Sequence, residues 1–148
     1  MGNNDLKVLI FSIDNQYYAT DIMEVERILE YEEPTKLPDS PDFVDGVINY
    51  QGNIISVMSL DKRFNLQNSL NSREAKIIVV KQNEDKIGII VDLVSEVKNV
   101  SANNIENPPD IVAGISKRYL KGLIKLENRI IILLNLSTIL TEEEKELI

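Results

Sequence analysis

Twenty-four carboxylates, no imidazole and no thiol define the chemistry open to this 148-residue chain. The acids cluster as Glu24-Glu26, as Glu30-Glu32-Glu33 and as Glu142 to Glu146. Paired carboxylates can share acid and base work when an environment drives their pKa values apart. A solvated acidic face or a capped helix accounts for them better. Without His or Cys there is no nucleophilic triad, and the commonest general base and metal ligand are both missing. The six glycines are scattered, and no GxGxxG or Walker spacing cradles a phosphate. The residues call for no catalysis, cofactor or metal; they favour binding through surfaces.

The elements that would carry such surfaces are organised around Phe43 to Leu60, FVDGVINYQGNIISVMSL. The stretch returns 76 residues later as Tyr119 to Leu136, YLKGLIKLENRIIILLNL, and 10 of 18 paired positions are apolar in both copies. Independent placement at this composition gives roughly three. Gly46 falls on Gly122, Ile48 on Ile124, Ile54 on Ile130, Ile55 on Ile131 and Leu60 on Leu136. Each copy reads as a hairpin with matched core positions, turning at Gln51-Gly52 or Glu127-Asn128, where Gly and Asn accept positive φ. Gly46 and Gly122 are expected to let backbones approach closely.

A second offset, 69 residues, places Val8–Phe11 on Ile77–Val80 and the turn Asp14-Asn15-Gln16 on Asn83-Glu84-Asp85. It also places Val25 on Val94 and Ile28 on Val97. Asp21 is positioned to cap a helical turn over IMEV, followed by an extended Arg27–Tyr31. The proline-rich EEPTKLPDSP (32–41) leads into the first hairpin, and Ser101–Lys117 plays that part for the second. Asp61–Phe64 reads as one helical turn, the polar Asn65–Ser72 as the seam between halves, and the capping box Thr141–Glu144 as the start of a terminal helix over 141–148. The expectation is a single all-β domain, 1–148, with subdomains over about 7–64 and 75–136. Each holds about five short strands, enough to close a small barrel.

The formal charge of −8 repels a phosphate backbone or an anionic bilayer, and the eight aromatic residues include no Trp. An oligonucleotide-binding barrel is therefore the weakest alternative. No apolar run reaches the ~20 residues of a membrane span, and the start MGNNDLKV lacks a signal-peptide core. Together with the missing Cys, this points to a cytoplasmic protein without direct membrane insertion.

Four blocks in order, FSIDNQYYATDIMEVERIL, LPDSPDFVDGVINYQGNIISVMSL, IGIIVDLVSEV and YLKGLIKLENRIIILLNL, resemble the CheW-like coupling proteins of bacterial chemotaxis over about residues 7–145. The resemblance implies two intertwined five-stranded SH3-like barrels and a non-catalytic adaptor. Such an adaptor links the cytoplasmic tips of methyl-accepting chemotaxis receptors to the regulatory domain of the histidine kinase CheA. It also implies a kinase interface at Val25, Arg27 and Ile28, and a receptor interface at Asn49, Gln51 and Gly52. The receptor's helical tip would dock in an apolar groove between the barrels. Three departures stand out: Gln51 replaces the family's hairpin Arg, Arg27 replaces the Glu of its V-x-E-I motif, and Ser56 and Ser59 replace Pro and Asp. The first removes a forked donor and the second reverses a charge, so a CheW-like scaffold for a different kinase or a non-chemotactic receptor is the alternative. The bland reading of Arg27 is a surface charge paired with Glu24 or Glu30.

Overall fold

The computed structural model describes residues 5–60, 74–82, 85–107 and 119–139. The expected helical turn at Asp61–Phe64, the seam at 65–72, Asn83-Glu84 and the helix over 141–148 lie outside them. Eleven strands are described: β1 (Leu6–Ile13), β2 (Gln16–Asp21), β3 (Val25–Glu30), β4 (Gly46–Tyr50), β5 (Asn53–Ser59), β6 (Lys76–Gln82), β7 (Asp85–Val91), β8 (Leu93–Val100), β9 (Ile105–Glu106), β10 (Leu120–Leu126) and β11 (Arg129–Leu134). They form two mixed sheets, sheet I in the order β8-β1-β2-β11-β10-β9 and sheet II in the order β3-β6-β7-β5-β4.

Each sheet draws strands from both halves of the chain. Under the two offsets β1 to β5 correspond to β6, β7, β8, β10 and β11, and exchanging copies converts one sheet order into the other. The junctions are parallel: Tyr18, Ala19 and Thr20 of β2 lie beside Ile132, Leu133 and Leu134 of β11, while Ser56 to Ser59 of β5 lie beside Ile87 to Ile90 of β7. The duplicated units are thus intertwined, as the resemblance implies.

Strands β1 and β6 are apolar without alternation because both of their faces are covered. Val8 and Ile10 join a core on one side of sheet I, with Ala19, Ile124 and Ile131, while Leu9, Phe11 and Ile13 turn to a central core. In β6, Ile77 and Val79 enter the core of sheet II with Ile48 and Val57, and Ile78 and Val80 enter the central one. Three apolar layers result, and the middle layer, holding Phe11 stacked on Tyr18 and also Met58, Leu60 and Leu136, glues the sheets together. Burial in this layer, with the Asp14 charge adding to it, pushes the Tyr18 hydroxyl up to about 12.

Among the described residues, Ile13↔Gln16, Tyr50↔Asn53, Gln82↔Asp85 and Leu126↔Arg129 are the pairs that close hairpins, each with two residues between its partners. The left-handed backbone falls on Asp14 and Asn15, on Gln51 and Gly52, and on Glu127. In the last turn an acid therefore takes the conformation that residue type alone assigned to Asn128. A second difference concerns Ile54 and Ile130. They are matched apolar positions, but they sit 75% and 58% exposed, because the pleat that turns Ile55 and Ile131 inward turns them out. The glycine reading holds. A methyl on Gly46 would lie 2.5 Å from the Thr35 carbonyl oxygen, and one on Gly122 would lie 3.0 Å from Ile105 Cγ2 and 3.2 Å from the Glu106 oxygen. Both glycines let the preceding connector lie against the hairpin, through the Thr35↔Val47 bridge in one copy and β9 on β10 in the other.

Candidate protein-interaction site

Strand β3 starts from a capped turn. Asp21 accepts a hydrogen bond from the Met23 amide (3.0 Å), fixing a 3-10 turn over Ile22–Glu24. From that turn Glu24 reaches across the copies, accepting from Thr20 Oγ1 at 2.8 Å and from the Ser137 amide at 3.0 Å. This satisfies the hydroxyl of the fully buried Thr20. Along β3, Val25 is half-buried against the central core, while Arg27 and Ile28 are exposed, Ile28 with 39% of its surface. Glu30 pairs with Lys76 at 3.0 Å, and among the described residues Arg27 makes no ion pair. The bland reading of Arg27, a charge absorbed by Glu24 or Glu30, is therefore not what the structure has.

The register of β3 on β6 slips between Val25 and Arg27, and that of β8 on β1 slips at the equivalent point. Such a bulge re-aims the extra residue. In β3 that residue is Glu26, and it meets Tyr50 of β4, whose hydroxyl donates to Glu26 Oε2 at 2.6 Å. Lys86 Nζ from β7 lies 3.0 Å from the same oxygen and 5.7 Å from the centre of the Tyr50 ring. The Tyr50 and Lys86 hydrogen bonds hold the Glu26 carboxyl below its usual range, and the bond to Glu26 and then burial raise the Tyr50 phenol. Strands β3 and β4 are the two ends of sheet II, which in a flat sheet would stand about 19 Å apart. A direct bond between them requires the sheet to curl until its ends meet.

The hairpin residues lie at the far end of β4. Asn49, Gln51 and Gly52 are exposed, Gln51 and Gly52 holding φ of 52° and 82°. Asn49 Oδ1 accepts from the Gly52 amide at 3.1 Å, so its side chain braces the turn. The structure thus gathers Val25, Arg27 and Ile28 on one edge strand and Asn49, Gln51 and Gly52 at one turn, and joins the two groups through Glu26 and Tyr50. Sequence reading missed Glu26, Tyr50 and Lys86. The available signal was Tyr50 itself, an aromatic at a core-facing position whose hydroxyl needs a partner.

The site has few features of a catalytic centre. Among the described residues no three of His, Cys, Asp and Glu gather as a metal would need, and no helix is long and apolar enough to cross a membrane. What it offers is an exposed apolar and cationic edge beside a braced turn.

Comparison with known proteins decides the family. The model of the CheW-like domain matches residues 7–144. The chain belongs to the CheW-like family. A chemotaxis protein CheW from Klebsiella aerogenes is 33% identical over 140 residues, spanning 95% of this chain and 84% of that protein. Another from Thermotoga maritima is 33% identical over 142 residues, spanning 93% and 89%. The crystal structure of the scaffolding protein TtCheW from Thermoanaerobacter tengcongensis superposes with a TM-score of 0.86 at 34% identity, covering 95% of this chain and 96% of that one. The superposition spans the two intertwined, mixed sheets described above, as two SH3-like barrels would require.

Proposed function

We propose that this CheW-like chain is a non-catalytic adaptor of bacterial chemotaxis. It couples the cytoplasmic tips of methyl-accepting receptors to the regulatory domain of the histidine kinase CheA, and it acts in the cytoplasm. The observation that carries this reading is end-to-end agreement in sequence and fold with a protein named for scaffolding. Two surface features support it. The edge strand β3 offers the exposed Ile28 and Arg27 to a partner, which suits edge-to-edge association. The turn at 49–52 offers backbone and amide groups without a large apolar side chain, which suits orienting a helical tip more than gripping it. Val25, Arg27 and Ile28 are assigned to the kinase contact, and Asn49, Gln51 and Gly52 to the receptor contact.

The test is calorimetry with the CheA regulatory domain and the receptor tip from the same cell. Binding to both is expected. A folded protein that binds neither would overturn the adaptor reading.

A further inference from the structure

Glu26 sits between Val25 and Arg27 of the kinase-facing strand, and Tyr50 sits between Asn49 and Gln51 of the receptor-facing turn. The 2.6 Å hydrogen bond between them is therefore a direct covalent-neighbour link from one contact region to the other. Three properties make it a stiff one. Its acceptor is ionised, which shortens and strengthens the bond. Lys86 secures the same oxygen from β7, a strand interior to sheet II. Tyr50 is only 5% exposed, its ring fixed in the core with Ile48 and Val57.

The other copy lacks this knot. Its equivalents of Glu26, Tyr50 and Lys86 are Ser95, Leu126 and Tyr17. There Lys98 of β8 and Glu127 of the β10–β11 turn lie 3.7 Å apart, with Glu127 69% exposed. Sheet I forms without such a polar knot, so its presence in sheet II calls for another reason. Strand β3 also has freedom to respond, since among the described residues its only ladder is with β6.

We propose that the Tyr50–Glu26–Lys86 knot couples the two contact regions, so that a partner seated on the 49–52 turn repositions β3 and changes the affinity of the partner there. Tyr50, Glu26 and Lys86 are positioning residues, acting through their neighbours. The functional half of the inference rests on the adaptor reading; the mechanical half does not. Coupling of this kind is reciprocal, because each partner must change the other's affinity by the same factor.

The experiment has two arms. In the first, amide NMR of the protein alone follows Arg27 and Ile28 when the turn is altered by Gln51→Arg. Shifts at both amides are expected in the parent and are expected to vanish in Tyr50→Phe, which keeps the ring and removes only the hydroxyl. Shifts that persist unchanged in Tyr50→Phe, or that never occur in the parent, overturn the mechanical link. In the second arm, affinity for the CheA regulatory domain is measured with and without saturating receptor tip. An enhancement of about fivefold or more is expected in the parent and about none in Tyr50→Phe or Glu26→Gln, with each partner's affinity alone kept within about twofold. No enhancement in the parent, or an enhancement intact in both variants, overturns the coupling. Loss of both partners in the parent with a positive first arm rejects the adaptor reading and leaves the mechanical link standing.

Discussion

Apart from the added β9, sheets I and II share one order of five strands, the same hairpins and the same bulge, yet their polar residues have gone separate ways. The edge of sheet II carries Arg27 and Ile28 where the edge of sheet I carries Glu96 and Val97, all four exposed. The ends of sheet II are drawn together by Tyr50, Glu26 and Lys86; in sheet I the matching strand β8 and the β10–β11 turn are joined by the exposed pair Lys98 and Glu127. Apolar positions are shared because the register and the three cores depend on them. Polar positions on edges and turns bear little of that load, and they are free to serve partners. The difference between the sheets is thus a map of where function was added to a common frame.

The comparison breaks most visibly at the two matched glycines. Gly46→Ala is expected to cost about 3 kcal/mol and Gly122→Ala about 1 kcal/mol, by urea unfolding, because the first clash is with a carbonyl and the second partly with a movable methyl. Equal losses would mean that both connectors yield alike. Next comes the tie between copies. Thr20→Val leaves Glu24 one donor short and is expected to cost about 1.5 kcal/mol in the same assay. The corresponding residue, Ile89, already lies in an apolar environment.

Two further measurements sharpen the difference between edges. Arg27→Glu is expected to weaken the CheA contact about tenfold, while Glu96→Arg on the other edge leaves it within about twofold. Similar losses from both would show that the kinase does not distinguish the edges. The smallest effect concerns acid. The folded pKa of Glu26 is depressed, so its contribution is complete above the ordinary glutamate value and is lost as pH falls through the lowered one. Tyr50, Lys86 and Lys81 are the groups facing it. The stability gap between the parent and Tyr50→Phe is therefore expected to narrow on acidification below that ordinary value. A gap constant across the acid range would show that the carboxylate form is not what Tyr50 recognises.

Much of this frame was legible because it is local. Hairpin loops, the cap at Asp21 and the close approaches at Gly46 and Gly122 follow from neighbours in sequence or from a repeat at fixed spacing. Strand exchange was not legible from the residues: β5 presents the same alternation whether it lies beside β2 of its own half or β7 of the other. Nor was the outward facing of Ile54 and Ile130, since repetition shows that two positions are equivalent without showing which way they point. At the site, the edge strand and turn were named from the four-block resemblance. The Tyr50–Glu26 bond escaped because it joins residues 24 apart that meet only when sheet II curls.

The parallel seam of β2 with β11 has a consequence for how the protein comes into being. Thr20 pairs with Leu134, so sheet I waits for the last strand of the described chain, and sheet II stays incomplete until β6 and β7 emerge. On the ribosome the leading sixty residues hold β1 and β2 for one sheet and β3, β4 and β5 for the other, with neither able to close. Such long-range closure makes for slow maturation and for a nascent chain that shows unpaired strands to its surroundings.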